Sequence, residues 1–436
     1  MSPETIGCIG VGVMLVLMFV GIPIAISMAV VGFVGYAAIC GFDKALAWVG
    51  IVPYSTFAEY TLSVLPIYML MGEFADISGM MRDSYRTSNI WLGFYRGGLA
   101  MASIIGAGIF SAISGSSMAC AALMTKISLP SLLDDYKYDP KLATGALTAG
   151  GTLGNLVPPG MAYVIYALMS ETSVGKLYIA SIIPGILLAL MYMAQIYIQC
   201  RINPSLGPRG AQFTWKQKLV GLKHVMALAI IFLMIMGGIW TGIFTATEAG
   251  AVGTVFCFFL ALYRRSVTWK NLIQTLRNTI AISGMIFAVI LGASIFTYFL
   301  SVSRLAQELA EFVLNMHMSP LGVIIMIMVV YIILGTAMDT VTMILLTVPI
   351  FLNIVTALGI DLIWFGVLVI VQVELSAISP PVGGNLFVVA GMVKNRGISI
   401  GTVFWGATPF CITMVIFTAI IIAFPQLSLF LVHMMK

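Results

Sequence analysis

Gly151-Thr-Leu-Gly-Asn-Leu-Val-Pro-Pro159 is a polar, proline-ended interruption inside very apolar sequence, and Ser379-Pro-Pro-Val-Gly-Gly-Asn385 repeats it in the second half of the chain. Each is preceded by another small polar break. Ser114-Gly-Ser-Ser117 stands before the first, and Gly335-Thr-Ala-Met-Asp-Thr340 before the second. Hydrocarbon cannot satisfy freed backbone groups, so irregular backbone at membrane depth survives only inside protein or beside a cavity. Matched interruptions in two halves of a chain are the sequence mark of a secondary transporter's binding site.

The rest of the chain supports a membrane setting. Of 436 residues, 61% are hydrophobic and only 8% charged. A soluble domain carries about 25% charged residues, so this chain could not cover a water-facing surface. The apolar runs are continuous and often near 20 residues, which favours helices over the alternating strands of a barrel. The expected fold is all-α and polytopic, with about 11 to 14 passes or half-passes at about 20 residues per span. The run from Ile6 to Cys40 is too long for a signal peptide and lacks a basic leader. It reads as membrane helix interrupted at Gly21-Ile22-Pro23.

The net charge of +5 carries no nucleic-acid signal, because the basic residues cluster in loops. One loop-like stretch, Arg201 to Lys223, holds Arg201, Arg209, Lys216, Lys218 and Lys223 with no acid. Another, Arg264 to Arg277, holds Arg264, Arg265, Lys270 and Arg277. Two apolar segments separate them, so both are expected on the cytoplasmic face. No phosphate-binding Gly-x-x-x-x-Gly-Lys-Ser/Thr loop occurs, so ATP is not the direct energy source. The six cysteines are scattered without metal-ligand spacing and read as packing residues. The three histidines are isolated and receive no role.

The repeat extends past the breaks. Gly115 and Gly335 stand 220 apart, as do Met118 and Met338. Pro130 pairs with Pro349, Pro158-Pro159 with Pro380-Pro381, Ser173-Val-Gly175 with Ser399-Ile-Gly401, and Pro184 with Pro409. An odd number of passes per unit would invert one copy against the other, the common case for such folds. The chain divides accordingly into N-terminal scaffold (1–88), a first repeat (89–200), basic loops with further scaffold (201–304) and a second repeat (305–436).

Proline lacks an N–H, so the carbonyl four residues earlier loses its helical partner. Pro158 and Pro159 free the carbonyls of Gly154 and Asn155; Pro380 and Pro381 free those of Ser376 and Ala377. A desolvated bare carbonyl costs several kcal/mol. Unwound carbonyls and helix C-termini suit hard cations, and Na⁺ is the natural partner. The small-residue run from Arg96 to Pro130 turns at Ser114 to Ser117 and suits a re-entrant hairpin of close-packed half-helices. The returning half-helix aims its positive dipole end at the site, which favours an anionic substrate group. The second tip adds Asp339, Thr340 and Thr342. Asp339 either contacts the cation or caps the returning helix. Charges at membrane depth are costly, which singles out Glu374 beside the second break. Glu73, Asp76 and Glu248 are expected near the interfaces.

These motifs resemble a known family. Gly150-Gly-Thr-Leu-Gly-x-x-x-Pro-Pro159, Met338-Asp-x-x-x-Met343 with Pro349, and Pro380-Pro-Val-Gly-x-Asn-Leu-Phe-Val388 are similar to the large membrane subunit of tripartite ATP-independent periplasmic (TRAP) transporters. The resemblance spans essentially the whole chain. It implies an elevator-type ion-transporter fold, in which a mobile domain carries both hairpins and both broken helices. It implies Na⁺-driven uptake of a small organic acid, with substrate delivered by a periplasmic binding protein. It also implies a small four-helix membrane subunit. Because only Met1 to Glu4 precede the first helix, that subunit is expected as a separate chain.

Carried over by motif, one Na⁺ would sit among Ser114, Gly115, Ser116, Ser117, Gly154 and Val157. A second would sit among Gly335, Asp339, Ser376, Ser379 and Val382. Substrate contacts would come from Ser117, Asn155, Gly160, Thr336, Thr340, Gly383 and Asn385. Asn155 and Gly160 depart from the aliphatic residue and serine expected there, and Ser379 stands where threonine is usual. Two rivals remain: a stand-alone Na⁺- or H⁺-coupled anion carrier of the same superfamily, and an intramembrane enzyme or channel. The last lacks a facing metal set or protease pair.

Overall fold

The computed structural model describes residues 1–335, 338–381 and 383–435, so Thr336 and Val382, two of the expected site residues, lie outside the described residues. Helices α1 (Pro3–Phe19) to α5 open the chain, with α2 (Ile24–Cys40), α3 (Phe42–Phe57), α4 (Val64–Ile77) and α5 (Met80–Leu92). The first break between them falls at Gly21-Ile22-Pro23, as expected. Next come α6 (Gly98–Ser114), α7 (Ser117–Pro130), α8 (Pro140–Leu156), α9 (Met161–Ser170) and α10 (Val174–Ile202). Three long helices follow: α11 (Trp215–Trp240), α12 (Ala246–Tyr263) and α13 (Trp269–Ser303). The chain ends with α14 (Leu305–Asn315), α15 (Pro320–Gly335), α16 (Thr340–Ala357), α17 (Leu362–Ile378), α18 (Gly384–Val393), α19 (Ile400–Ala423) and α20 (Gln426–His433).

Among the described residues, six helices are long and apolar enough to cross a membrane, and several shorter apolar helices accompany them. Leu233, Val255, Phe259 and Ile280 on these spans are exposed, as side chains facing lipid are. The protein is a multi-pass membrane protein. The basic stretches are shorter as loops than expected. A capping box between Thr214 and Gln217 starts α11, and Thr268 caps α13, so Lys216, Lys218, Lys223, Lys270 and Arg277 ride on helix. Glu248 likewise closes a capping box with Thr245 at the exposed start of α12.

The two halves match element by element. The hairpin α6–α7 corresponds to α15–α16, and the broken helix α8–α9 to α17–α18. Asp139 caps α8 by accepting from Lys141 N–H, and Asp361 caps α17 through Ile363 N–H. Val157 ends α8 in extended backbone, and Ser379 ends α17 the same way. Ser173 and Ser399 cap α10 and α19, whose interiors carry Pro184 and Pro409. Helix α4 leads into the first hairpin through a left-handed Gly79 and α5. Helix α13 leads into the second through a left-handed Arg304 and α14. These two mates lie antiparallel: Ser283 Oγ meets Met69 Sδ at 3.4 Å, and Asn278 Nδ2 meets Glu73 Oε2 at 3.1 Å. The repeats are therefore inverted.

The broken helices form the core. Every residue from Leu142 to Leu156 and from Phe365 to Ile378 is buried, as befits helices apolar on all sides. Small residues let helices from opposite repeats meet backbone to backbone. A Cβ on Gly145 of α8 would overlap the Gly406 carbonyl of α19, and one on Gly406 would overlap the Lys141 carbonyl. We expect Gly406→Leu to cost about 3 kcal/mol or more, the upper range for overpacking. Thermal unfolding followed by size exclusion would read it, and an unchanged midpoint would show that this crossing is slack.

Candidate substrate and ion site

Two hairpin tips and two broken helices meet at one place. The turn at Gly115, with φ +60°, lets α6 reverse into α7. The Gly115 carbonyl accepts from Met161 N–H at 3.1 Å, which joins the first tip to the start of α9. A Cβ on Gly115 would lie 2.6 Å from the Pro159 oxygen, and one on Gly154 would lie 2.6 Å from the Ser116 oxygen. In the second repeat, a Cβ on Gly335 would overlap Ser376 Cβ. Each tip therefore rests on the broken helix of its own repeat, and Gly154 and Ser376 each stand four residues before the first proline of their break.

A cavity of about 420 Å³ opens between these elements. Its polar lining comes from Ser116, Ser117, Asn155, Thr340, Ser376 and Asn385, with Asp339 at the second tip. Met69 of α4 and Ile282, Met285 and Ile286 of α13 close it from outside the breaks. Four helices begin at this wall: α7 at Ser117, α9 at Met161, α16 at Thr340 and α18 at Gly384. Each N-terminus carries roughly half a positive charge. Among the described residues, no Lys, Arg or His lines the cavity, and its one lining carboxylate is engaged elsewhere. Asp339 caps α16, accepting from Val341 N–H at 3.1 Å, Thr342 N–H at 3.5 Å and the Thr342 hydroxyl.

Asn385 is fully buried at this wall, and neither its amide nitrogen nor its oxygen has a hydrogen-bond partner. Buried polar atoms are seldom left unpaired, so this amide is a contact awaiting a ligand. Ser117 and Asn155 are engaged. The Ser117 hydroxyl donates to Glu374 Oε2 at 2.7 Å, and Asn155 Nδ2 donates to Glu374 Oε1 at 2.8 Å. Glu374 itself is fully buried in α17. One carboxylate thus ties the second broken helix to the tip and the broken helix of the first repeat. The sequence marks Glu374 as a charge at membrane depth but not as the partner of Ser117 and Asn155.

The remaining expected residues distribute as follows. Ser114, with its hydroxyl buried and unpartnered, lines a small adjoining cavity. Val157 lines a separate apolar cavity of about 320 Å³ beside Pro158. Gly160 and Gly383 sit in the turns themselves, packed on the Asn155 and Ala377 carbonyls. The hydroxyls of Ser376 and Ser379 bond back to the carbonyls of Val373 and Leu375, at 2.6 and 2.7 Å. One expectation needs correcting. The Ser376 carbonyl is not bare, because Ser379 N–H donates to it at 3.2 Å as the last turn tightens. Both proline pairs are joined by cis bonds. Among the described residues there is no cluster of three or more His, Cys, Asp or Glu. The donors present are hydroxyl, amide and carbonyl oxygens, which suit a hard cation rather than a transition metal.

Comparison with known proteins places this arrangement. The model of the DctM component of tripartite ATP-independent periplasmic transporters matches residues 11–427. The chain belongs to the DctM family of TRAP transporters. The C4-dicarboxylate TRAP transporter large permease protein DctM of Pseudomonas aeruginosa is 34% identical over 86% of this chain and 87% of its own length. The sialic acid TRAP transporter large permease protein SiaM of Vibrio cholerae is 29% identical over 86% of each. Solved structures agree in fold: the YdaH transporter of Alcanivorax borkumensis superposes with a TM-score of 0.64 at 15% identity, covering 88% of this chain and 89% of its own. MtrF of Neisseria gonorrhoeae gives 0.64 at 12%, covering 97% and 95%. This DctM-family chain is accordingly a multi-pass TRAP permease of the bacterial inner membrane.

Proposed function

We infer that this TRAP large permease takes up a small organic acid anion by Na⁺ symport with an elevator movement. The observation that carries the anion is the convergence of four helix N-termini on a cavity whose lining, among the described residues, holds no cationic side chain. Such a site attracts carboxylate or sulfonate through backbone dipoles. Relatives named for C4-dicarboxylate, sialic acid and isethionate support that class. The contact of each tip with the carbonyl end of its broken helix supports two Na⁺ sites. Asn385 and Asn155 are the residues we assign to substrate. The elevator reading rests on the inverted repeat, with the α4 and α13 wall as the fixed surface. Partners follow from the family: a periplasmic binding protein that delivers substrate, and a small membrane subunit.

The test is uptake of radiolabelled organic acids into proteoliposomes holding the chain and these two partners, under an imposed Na⁺ gradient. Choline replacement is expected to abolish uptake. Uptake that persists without Na⁺ and follows a pH gradient would replace Na⁺ with protons, a reading favoured by the fully buried Glu374. Uptake by this chain alone would point to a stand-alone carrier. For Asn385→Ala we expect the apparent substrate affinity to fall about tenfold, the scale of one lost hydrogen bond to a charged group. Substrate titration of the uptake rate measures it.

A further inference from the structure

The small cavity beside the main one has walls of a different kind. It measures about 70 Å³ and lies between the first hairpin tip and α4. The tip contributes Ser114 and Ser116; α4 contributes Gly72, Glu73 and Asp76; Thr279 of α13 completes it. Glu73 and Asp76 stand three apart, so both point from one face of α4. A Cβ on Gly72 would come 3.1 Å from Ser114 Cα, so the tip and α4 touch beside the cavity.

The polar groups here are incompletely matched. Glu73 accepts from Asn278 Nδ2 at 3.1 Å. Lys126 of α7 lies near enough for its charge to act on Asp76, but it is exposed and does not line the cavity. Neither carboxylate joins an ion pair among the described residues. Ser114 is 6% exposed and lines the cavity, and its buried hydroxyl has no hydrogen-bond partner. A buried hydroxyl without a protein partner and two carboxylates thus line one space large enough for an ion and water.

We propose that this annex is a monovalent-cation site, in which Na⁺ bridges the Glu73 and Asp76 carboxylates of α4 and the Ser114 hydroxyl of the hairpin tip. All its donors are hard oxygens. Lys126 offsets Asp76, which leaves the charge of Glu73 for the ion and favours a monovalent over a divalent guest. The annex shares Met69, Ser116, Met161 and Ile282 with the main cavity. An ion here waits one step from the tip, and while bound it holds the tip against α4. The site borders the first ion site expected above, with which it shares Ser114, and differs from it because its carboxylates lie on α4, outside both hairpins and both broken helices.

The experiment uses the purified full-length protein in detergent. Its unfolding temperature is followed against NaCl at constant ionic strength, with choline chloride as the balance and with KCl and MgCl₂ in parallel. In Glu73→Gln and Asp76→Asn the Na⁺ concentration for half-maximal stabilisation should rise about tenfold, the scale of one charge-assisted contact. Their stability in choline chloride alone should hold or rise, because two half-buried carboxylates no longer face each other. Ser114→Ala, which keeps both carboxylates, should shift the same midpoint in the same direction by less. Either carboxylate variant carries the test if the other fails to fold, because Glu73 and Asp76 belong to neither of the ion sites proposed above. Superimposable Na⁺ curves for wild type, Glu73→Gln and Ser114→Ala would overturn the site. A stronger response to Mg²⁺ than to Na⁺, lost in Glu73→Gln, would overturn its monovalent assignment.

Discussion

Replacing Glu374 by alanine is expected to abolish uptake and to lower stability by several kcal/mol. Ser117 Oγ and Asn155 Nδ2 both donate to this carboxylate, and all three side chains are buried. Removing the acceptor leaves two donors unsatisfied, each at about 1–3 kcal/mol. The damage would not be local. Ser117 begins α7 and Asn155 precedes the first proline pair, and both line the main cavity. Losing Glu374 therefore frees a tip, a break and part of the substrate wall together. Glu374→Gln separates charge from shape. Its amide keeps one acceptor oxygen but sets an N–H₂ group against a donor. We expect it to fold, to elute as wild type on size exclusion and to transport poorly. Full uptake by Glu374→Gln would show that the carboxylate serves packing alone.

The second large effect is at Gly335. A Cβ there would overlap Ser376 Cβ, the contact by which the second tip rests on its broken helix. Even alanine must push the tip away. A displacement of about an ångström at a working site costs about 10²-fold in rate, and we expect that loss for Gly335→Ala in initial uptake. Insertion should be unaffected, because α15 is apolar along its length. The contact is specific enough to be repaired. Ser376→Gly removes the obstructing Cβ and makes the second repeat like the first, where Gly154 holds the equivalent position. Gly335→Ala with Ser376→Gly should recover much of the rate. If the single variant transports normally, or the pair fails to improve on it, the tip does not depend on this approach.

Much of the architecture was legible because membrane burial leaves few options. Polar, proline-ended interruptions in apolar sequence must be sheltered, and their duplication located both breaks and both tips. Ser173 and Ser399 were legible as repeat anchors, and the structure shows them, with Asp139 and Asp361, as caps where helices restart. The loops were less legible. Lys216, Lys218 and Lys223 suggest loop by charge, yet the Thr214–Gln217 capping box starts the helix before them. Asp339 offered two roles, and geometry assigns its oxygens to the start of α16.

From composition and pattern alone came the membrane setting, the helical fold, the repeat and the positions of its interruptions, because each depends on local backbone chemistry in a solvent without hydrogen bonds. The bond of Glu374 to Ser117 spans 257 residues, and that to Asn155 spans 219. No local rule relates such positions. Tertiary structure alone decided these contacts, the convergence of four helix starts on one cavity, the antiparallel pairing of α4 with α13 and the annex of Glu73, Asp76 and Ser114. Each requires folding to bring distant segments within reach, and only then do unpaired atoms such as those of Asn385 become visible as a place for a ligand.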